Sequence, residues 1–344
     1  MLSALAAPLM RLYEGVLSFR NDLYERGVFR ERRLPVPVVS VGSLTVGGTG
    51  KTPVAECVAR LLQARMGKRV CVLSRGYRRS QKISGPVVVS DGERLRASWS
   101  EAGDEPLVLA ENLLGCASVV VCPSRVKGGA FAVDRLSAEA VVLDDGFQHR
   151  ALARDANLLL IDGRDFLGNE KIFPRGPLRE QPSAIRRADA VLFTRTPQGA
   201  EEAAAAWLRA RAPGTPHFFC ELRAGDAAWK EPPKGATKRI AAFCGLARPA
   251  QFKETLRSLG YDVALWKQFP DHHRYERADV DPFLAEARRR GAAALLTTQK
   301  DWVKVRELKK EWPLPAGFVR LHASVRKEDE FLKFLGEKSE TEGR

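Results

Sequence analysis

Two hydrophobic periods alternate along this chain: short runs of β-branched apolar residues, and stretches in which apolar positions recur every three or four residues. The first suits strands buried on both faces and the second suits helices packed by one side. After Pro35 and Pro37, VPVVSVG (36–42) reads as a buried strand that leads into SLTVGGTGKT (43–52) and a helix from Val54 to Met66. RVCVLSRGY (69–77) and PVVVSDG (86–92) read as the next two strands. A helix near 105–115, a strand at 118–125, a helix at 126–136 and the strand AVVLDDGFQHR (140–150) continue the series. NLLLIDGRD (157–165) and AVLFTR (190–195) are two more strands. Such alternation predicts parallel βαβ units and a doubly wound, mostly parallel α/β/α sheet.

An Ala-rich helix (200–212) and the segment around Gly225–Lys238 separate this series from a second, smaller α/β block. That block reads as strand 239–247, helix 249–259, strand 261–266, helix 279–290 and strand ALLTTQKD (294–301). The organisation expected is an N-terminal segment 1–33, a larger α/β domain 34–225, a smaller one 226–335 and a disordered tail 336–344. A chain of 344 residues suits roughly two domains.

The N-terminal segment has its own pattern. Leu5, Leu9, Leu12, Val16, Phe19 and Leu23 recur at helical spacing, with charged residues largely elsewhere and Arg26, Arg30, Arg32 and Arg33 at the end. An amphipathic helix with a basic edge suits the interface of an anionic membrane, or packs its stripe on the protein's own core. Arg11 and Glu14 interrupt the apolar stretch, which argues against a secretory signal. No apolar run is long enough for a membrane-spanning helix.

Charge narrows the class of partner without choosing it. A net charge of +14 suits nucleic acid, anionic lipid or a phosphorylated substrate. The six cysteines form no CxxC pair, as expected of reduced, buried thiols rather than a zinc site.

The chemistry is most legible at Thr45-Val46-Gly47-Gly48-Thr49-Gly50-Lys51-Thr52, which follows a predicted strand and opens a predicted helix. Backbone amides of such a turn point at phosphate oxygens, with the positive end of the next helix behind them. Lys51 then reaches the β and γ phosphates, and the Thr52 hydroxyl suits Mg²⁺. Thr45 stands where the common P-loop pattern has its first glycine. Asp144 and Asp145 follow the apolar strand, in the position that holds metal or orients a nucleophile in phosphoryl transfer. Asp104 and Glu105 open a helix, where capping competes with catalysis as an explanation. His149 is a lone histidine in a turn, whereas His272 and His273 lie on a Pro-bounded loop of the second block.

Together these segments resemble one family. GSLTVGGTGKTP (42–53), SRGY (74–77), GDEP (103–106), DDGFQHR (144–150), GNEKIFPRGPLRE (168–180), FPDHHRY (269–275) and TQKD (298–301) occur in the order found in tetraacyldisaccharide 4′-kinases. The resemblance spans about residues 5–305, and DDGFQHR and GPLRE are more specific than the P-loop. It implies two α/β/α domains joined by a β linker, with the active site in the cleft. It also implies an N-terminal helix that touches the inner membrane from its cytoplasmic face as a peripheral anchor. The implied reaction moves the γ-phosphoryl of ATP to the 4′-hydroxyl of tetraacyldisaccharide 1-phosphate, giving lipid IVA. Carried over residue by residue, Lys51 and Thr52 are P-loop contacts, Asp104 is a candidate base and His272 its partner. Asp144 and Asp145 match the metal-side and phosphate-side carboxylates. Arg75, Tyr77, Arg125, His149, Asn169 and Glu170 match positions lining the cleft. Gln299 stands where the family motif usually has Glu.

Two other classes fit parts of the chain. TQKD resembles a guanine reader, but it comes late, in the second block, and DDGF has its glycine one place too early for a DxxG switch. The charge would suit a nucleic-acid ATPase, but no RNP, zinc-finger or helicase motif series is present, so no nucleic-acid partner is expected.

Overall fold

The computed structural model describes residues 15–76, 83–233, 238–309 and 311–340. Its twelve strands form one sheet in the order β10-β9-β11-β12-β8-β7-β6-β1-β5-β2-β4-β3. The first half is β1 (Val38–Ser43), β2 (Val70–Ser74), β4 (Ala117–Val121), β5 (Ala140–Asp144), β6 (Ala156–Asp162) and β7 (Ala190–Thr194). All six run parallel, and every residue in them is buried. Burial on both faces is what their near-continuous apolar sequence specifies. β3 (Val87–Ser90) closes the edge in antiparallel sense.

Helices cover both faces. Val54, Val58 and Leu62 of α2 (Lys51–Met66) and Leu107 and Leu109 of α4 (Asp104–Asn112) share one core cluster with Val72 and Val119. The short α3 (Trp99–Ala102) leads into α4 across Gly103. The opposite face packs Leu73, Leu143 and Ala132, the last from α5 (Arg125–Leu136). A further cluster joins Ile161 and Phe193 to Leu208 of α6 (Glu201–Arg211).

β8 (His217–Trp229) is the longest strand, with 13 residues. It pairs in parallel with β7 through His217–Cys220 and then antiparallel with β12 (Ala316–Val325) from Cys220 to Trp229. The boundary expected between residues 225 and 226 falls inside this strand. The sequence hid it because β8 is only partly covered, so Glu221, Arg223 and Asp226 interrupt its apolar pattern. Beyond it lie β9 (Arg239–Cys244), β10 (Asp262–Gln268) and β11 (Ala294–Thr298), parallel to β12, with α7 (Pro249–Ser258), α8 (Arg277–Arg289) and α9 (Gln299–Val305).

Two expectations are corrected here. ALLTTQKD is not one strand: β11 stops at Thr298, whose hydroxyl accepts the Asp301 amide at 3.1 Å and starts α9. The tail from 336 is not disordered through 340, because α10 (Glu328–Glu340) buries Phe331 and Leu335 in the cluster that holds Val54. Lys338 of that helix also pairs with Asp189 at 2.5 Å.

At the N-terminus, residues 15–25 form α1, and the stripe at Leu5, Leu9 and Leu12 lies outside the described residues. The helix is held by polar contacts. Asn21 donates to Glu180 at 2.9 Å, and Arg150 donates to the Asn21 carbonyl at 3.0 Å and lies over the Tyr24 ring.

Candidate active site

In the order β7-β6-β1-β5-β2, five adjacent parallel strands end side by side, and each end supplies a polar residue: Thr194, Asp162, Ser43, Asp144 and Ser74. Crevices at the carboxyl ends of parallel strands are where α/β sheets bind ligands.

The Gly-rich loop sits at the end of β1. Gly47, Gly48 and Gly50 have φ of 77°, 55° and 86°, and Gly50 caps α2. A Cβ on Gly50 would lie 2.5 Å from a methyl of Leu222, so both its conformation and its surroundings demand glycine. The GPLRE segment staples the loop. The Val46 amide donates to Pro177 O at 2.7 Å, and the Arg179 amide donates to Leu44 O at 2.7 Å. From the other side Thr194 donates to Thr49 O at 3.1 Å and Arg195 donates to Gly48 O. Lys51 opens α2 with Nζ 3.5 Å from Ser43 Oγ and 3.8 Å from Asp145 Oδ1. Thr52 follows it in the first turn.

Asp144 ends β5 fully buried; Ser74 Oγ lies 3.3 Å from its Oδ2, and its Oδ1 has no hydrogen-bond partner among the described residues. Burial, then Glu105 and Asp145, push its carboxyl up to about 7. Asp145 turns the chain at φ 54° and meets Arg179 Nη1 at 2.9 and 2.8 Å through its two oxygens. Burial opposes its charge, but Lys51 and Arg179 outweigh burial and hold it below the usual carboxylate range.

Arg125 heads α5 and is buried; Nη1 donates to Cys122 O at 3.3 Å, and Nε has no hydrogen-bond partner among the described residues. Burial lowers it to about 10, against the pull of Asp144. His149 is pushed down to about 4 by burial and then by Arg125, Arg154, Arg75 and Arg20, so it is neutral at neutral pH. Arg75 is exposed just past β2, and Tyr77 lies outside the described residues. Asn169 and Glu170 engage other partners. Asn169 donates to Arg175 O at 3.0 Å within its own loop, and Glu170 pairs with Arg211 of α6 at 2.8 Å.

Asp104 is the first residue of α4, and Gly103 holds the cap position. Its Oδ1 accepts the Glu105 amide at 2.9 Å, and its Oδ2 lies 3.0 Å from His272 Nδ1, 168 positions away. His272 sits at φ 60° in the loop after β10. Lys304 of α9 lies 3.7 Å from the same Oδ2 and 3.1 Å from Asp301 Oδ1. Burial pushes the Asp104 carboxyl up, but His272, Lys300 and Lys304 more than offset it and hold the group at about 2. His273 points elsewhere, to Asp279 at 2.9 Å, and stacks on Phe269.

The residues that sequence reasoning missed are cations and their anchors. Arg179 lies in GPLRE, and Lys300 and Asp301 lie in TQKD, so their motifs were visible while their partners were not. Asp301 is fully buried and accepts Gly245 N at 2.9 Å. Gln299 also gains a place: its amide donates to Asn112 at 2.8 Å, and Asn112 donates to Glu56 at 2.9 Å. Arg248 reaches the loop from α7's start, its Cδ 3.7 Å from where a Gly48 Cβ would stand.

Fold and site are those of an α/β phosphotransferase with a Gly-rich loop between its first strand and the helix that follows. The chain belongs to the tetraacyldisaccharide-1-P 4′-kinase family, whose model matches residues 2–340. A tetraacyldisaccharide 4′-kinase of Desulfotalea psychrophila is 40% identical over 333 residues, covering 95% of this chain and 94% of that one. One from Aquifex aeolicus is 41% identical over 312 residues, covering 89% and 90%. The crystal structure of Aquifex aeolicus LpxK in complex with ATP superposes with a TM-score of 0.78 at 37% identity, covering 98% of this chain and 100% of that one.

Proposed function

We propose that the cleft beside the Gly-rich loop carries out the family's reaction with Asp104 as base and His272 as its partner. The γ-phosphoryl of ATP moves to the 4′-hydroxyl of tetraacyldisaccharide 1-phosphate, giving lipid IVA in lipid A biosynthesis. The observation that carries the assignment of roles is the contact of Asp104 with His272, between α4 and the loop after β10.

The loop amides and Lys51 bind the nucleotide phosphates, and Lys51 meets the charge that develops on the transferring group. Asp104 accepts the proton of the sugar hydroxyl while His272 holds the carboxylate in place. The unpartnered Oδ1 of Asp144, the Thr52 hydroxyl and Asp145 are the oxygen donors that would hold Mg²⁺. Bound there, the ion supplies charge neutralisation on the phosphates. We assign Arg75, Arg125 and neutral His149 to the acceptor, with Tyr77 assigned from its sequence motif alone, and the exposed Asn169 and Glu170 to the outer rim of that side. We read β9–β12 with α7–α9 as the smaller domain, joined through β8.

The acceptor carries acyl chains, so the enzyme works at a lipid surface. On α1, Val16 is 57% and Phe19 64% exposed, beside the arginine cluster that ends the segment. This supports peripheral attachment to the anionic cytoplasmic face of the inner membrane. Among the described residues no helix is long and apolar enough to cross a membrane.

The test is ATP-dependent phosphorylation of tetraacyldisaccharide 1-phosphate in mixed micelles by the purified chain. The bisphosphorylated product should accumulate, and its absence with folded protein would overturn the reading. Asp104→Ala and His272→Ala test the roles.

A further inference from the structure

We infer that Lys300 is a positioning residue that fixes His272 as a neutral imidazole protonated on Nδ1, an inference that rests on the Asp104–His272 reading above. The two ring nitrogens face opposite partners: Nδ1 lies 3.0 Å from Asp104 Oδ2, and Nε2 lies 3.1 Å from Lys300 Nζ. An ammonium has three donors and no lone pair, so at that distance Nε2 accepts. A neutral imidazole carries a single N–H. The proton therefore sits on Nδ1 and is donated to Asp104.

An imidazolium here would set an N–H against the ammonium, two like charges in contact. The surroundings keep Lys300 charged. Its Nζ lies 3.2 Å from Glu105 Oε1 and 3.7 Å from Asp271 Oδ1. Burial pulls its pKa down, but Glu105, Asp104 and Asp271 outweigh that and raise it. Asp104 and Asp271 favour protonation of the ring, with Asp271 Oδ2 3.9 Å from Nε2. Lys300 opposes them directly, and Lys304 opposes them by sharing Asp104 Oδ2. Main-chain bonds hold the loop on which the ring stands: the His272 amide donates to Gly245 O at 3.4 Å and the His273 amide to Pro270 O at 3.0 Å.

The consequence is a division of labour. His272 is a fixed donor that pins Asp104, and Asp104 alone stays the acceptor facing the substrate hydroxyl. The tautomer of a histidine is set by what its second nitrogen meets. In this protein that group comes from TQKD, a segment 28 positions beyond His272.

The experiment reads the ring itself and then the rate. Nitrogen NMR of the full chain labelled in histidine, with His272 assigned from the spectrum of His272→Gln, should show at neutral pH a neutral ring protonated on Nδ1. Lys300→Met removes the donor. Its kcat should fall about tenfold at neutral pH, and the acidic limb of its pH profile should move up by about one unit, with KM for ATP within about twofold. Lys300→Arg, which keeps a charged donor, should recover most of the rate. An Nε2-protonated or doubly protonated ring in the unmodified protein at neutral pH overturns the inference, as does a Lys300→Met profile that superimposes on the parent's. The NMR on the unmodified chain decides the matter even where Lys300→Met does not fold. If the ring is protonated on Nδ1 while Asp104→Ala and His272→Ala both keep full activity, the base assignment fails and the tautomer stands.

Discussion

Arg179 Nη1 lies 2.9 and 2.8 Å from the two carboxylate oxygens of Asp145, while the amide of the same residue donates to Leu44 O at the mouth of the Gly-rich loop. One residue thus ties the carboxylate after β5 to the loop after β1. Lys51 approaches Asp145 only to 3.8 Å, so Arg179 is its nearer counter-charge. Arg179→Met should leave Asp145 paired to Lys51 alone and draw that ammonium off the phosphates. The expected outcome is a loss of about tenfold to a hundredfold in kcat/KM for ATP, at unchanged thermal stability within a few degrees, measured by steady-state kinetics and thermal unfolding. Parent-like kinetics would leave Arg179 only a staple.

Asp104 and His272 should behave as one unit, because Asp104 Oδ2 and His272 Nδ1 meet at 3.0 Å and each holds the other in place. Asp104→Ala and His272→Ala should each cut kcat strongly, with little change in ATP affinity. The double variant should be little worse than the more severe single one. Losses that multiply would mean independent roles, which the kinetics of the four proteins distinguish directly.

Much of this site was legible from local pattern. Gly-Gly-Thr-Gly-Lys-Thr between a strand and a helix, and two aspartates after an apolar run, declare themselves because each lies within a few residues of its structural cause. Asp104 and His272 were identified through motifs rather than through contact. The rest depends on distant pairing. β8 went unread because a half-covered ribbon needs no unbroken apolar run, and β12 went with it. The start of α9 was hidden inside what looked like one strand, since the cap at Thr298 is itself β-branched. Lys300 and Lys304 carry no periodic signal, and only the folded chain sets them against Asp104. Phe331 and Leu335 fell within the stretch assigned to the smaller α/β block, and only the folded chain shows α10 carrying them to the core around Val54.

The low pKa of Asp104 makes a stability prediction. The group is held at about 2 in the folded state, below its ordinary 3.8. The folded state therefore favours the ionised form, and the stabilisation is present above the ordinary value and is lost as pH falls towards 2. Asp104→Asn removes this dependence. The difference in unfolding free energy between parent and variant should shrink by about 1 kcal/mol between about pH 5 and about pH 3, read by denaturant titration. A constant difference across that window would mean that His272 and the lysines do not hold the carboxylate ionised.

The outward apolar side chains of α1 give the last prediction. Val16 and Phe19 are exposed, whereas the contacts that hold the helix run through Asn21, Tyr24 and Arg150. Substituting the outward pair should therefore spare the fold, unlike removal of the helix. Burying a Val and a Phe in lipid is worth roughly 3–5 kcal/mol together, so their loss outweighs any single arginine's attraction to the surface. Val16→Asp with Phe19→Asp should weaken binding to anionic vesicles at least about tenfold, and slow turnover of bilayer-embedded acceptor while micellar turnover stays near the parent's. The parent's own binding should weaken but persist at high salt, because screening removes the basic contribution and leaves the apolar one. Vesicle co-sedimentation at low and high salt reads both outcomes. Undiminished binding by the double variant would return α1 to a purely structural role, with Phe19 exposed for no reason of membrane attachment.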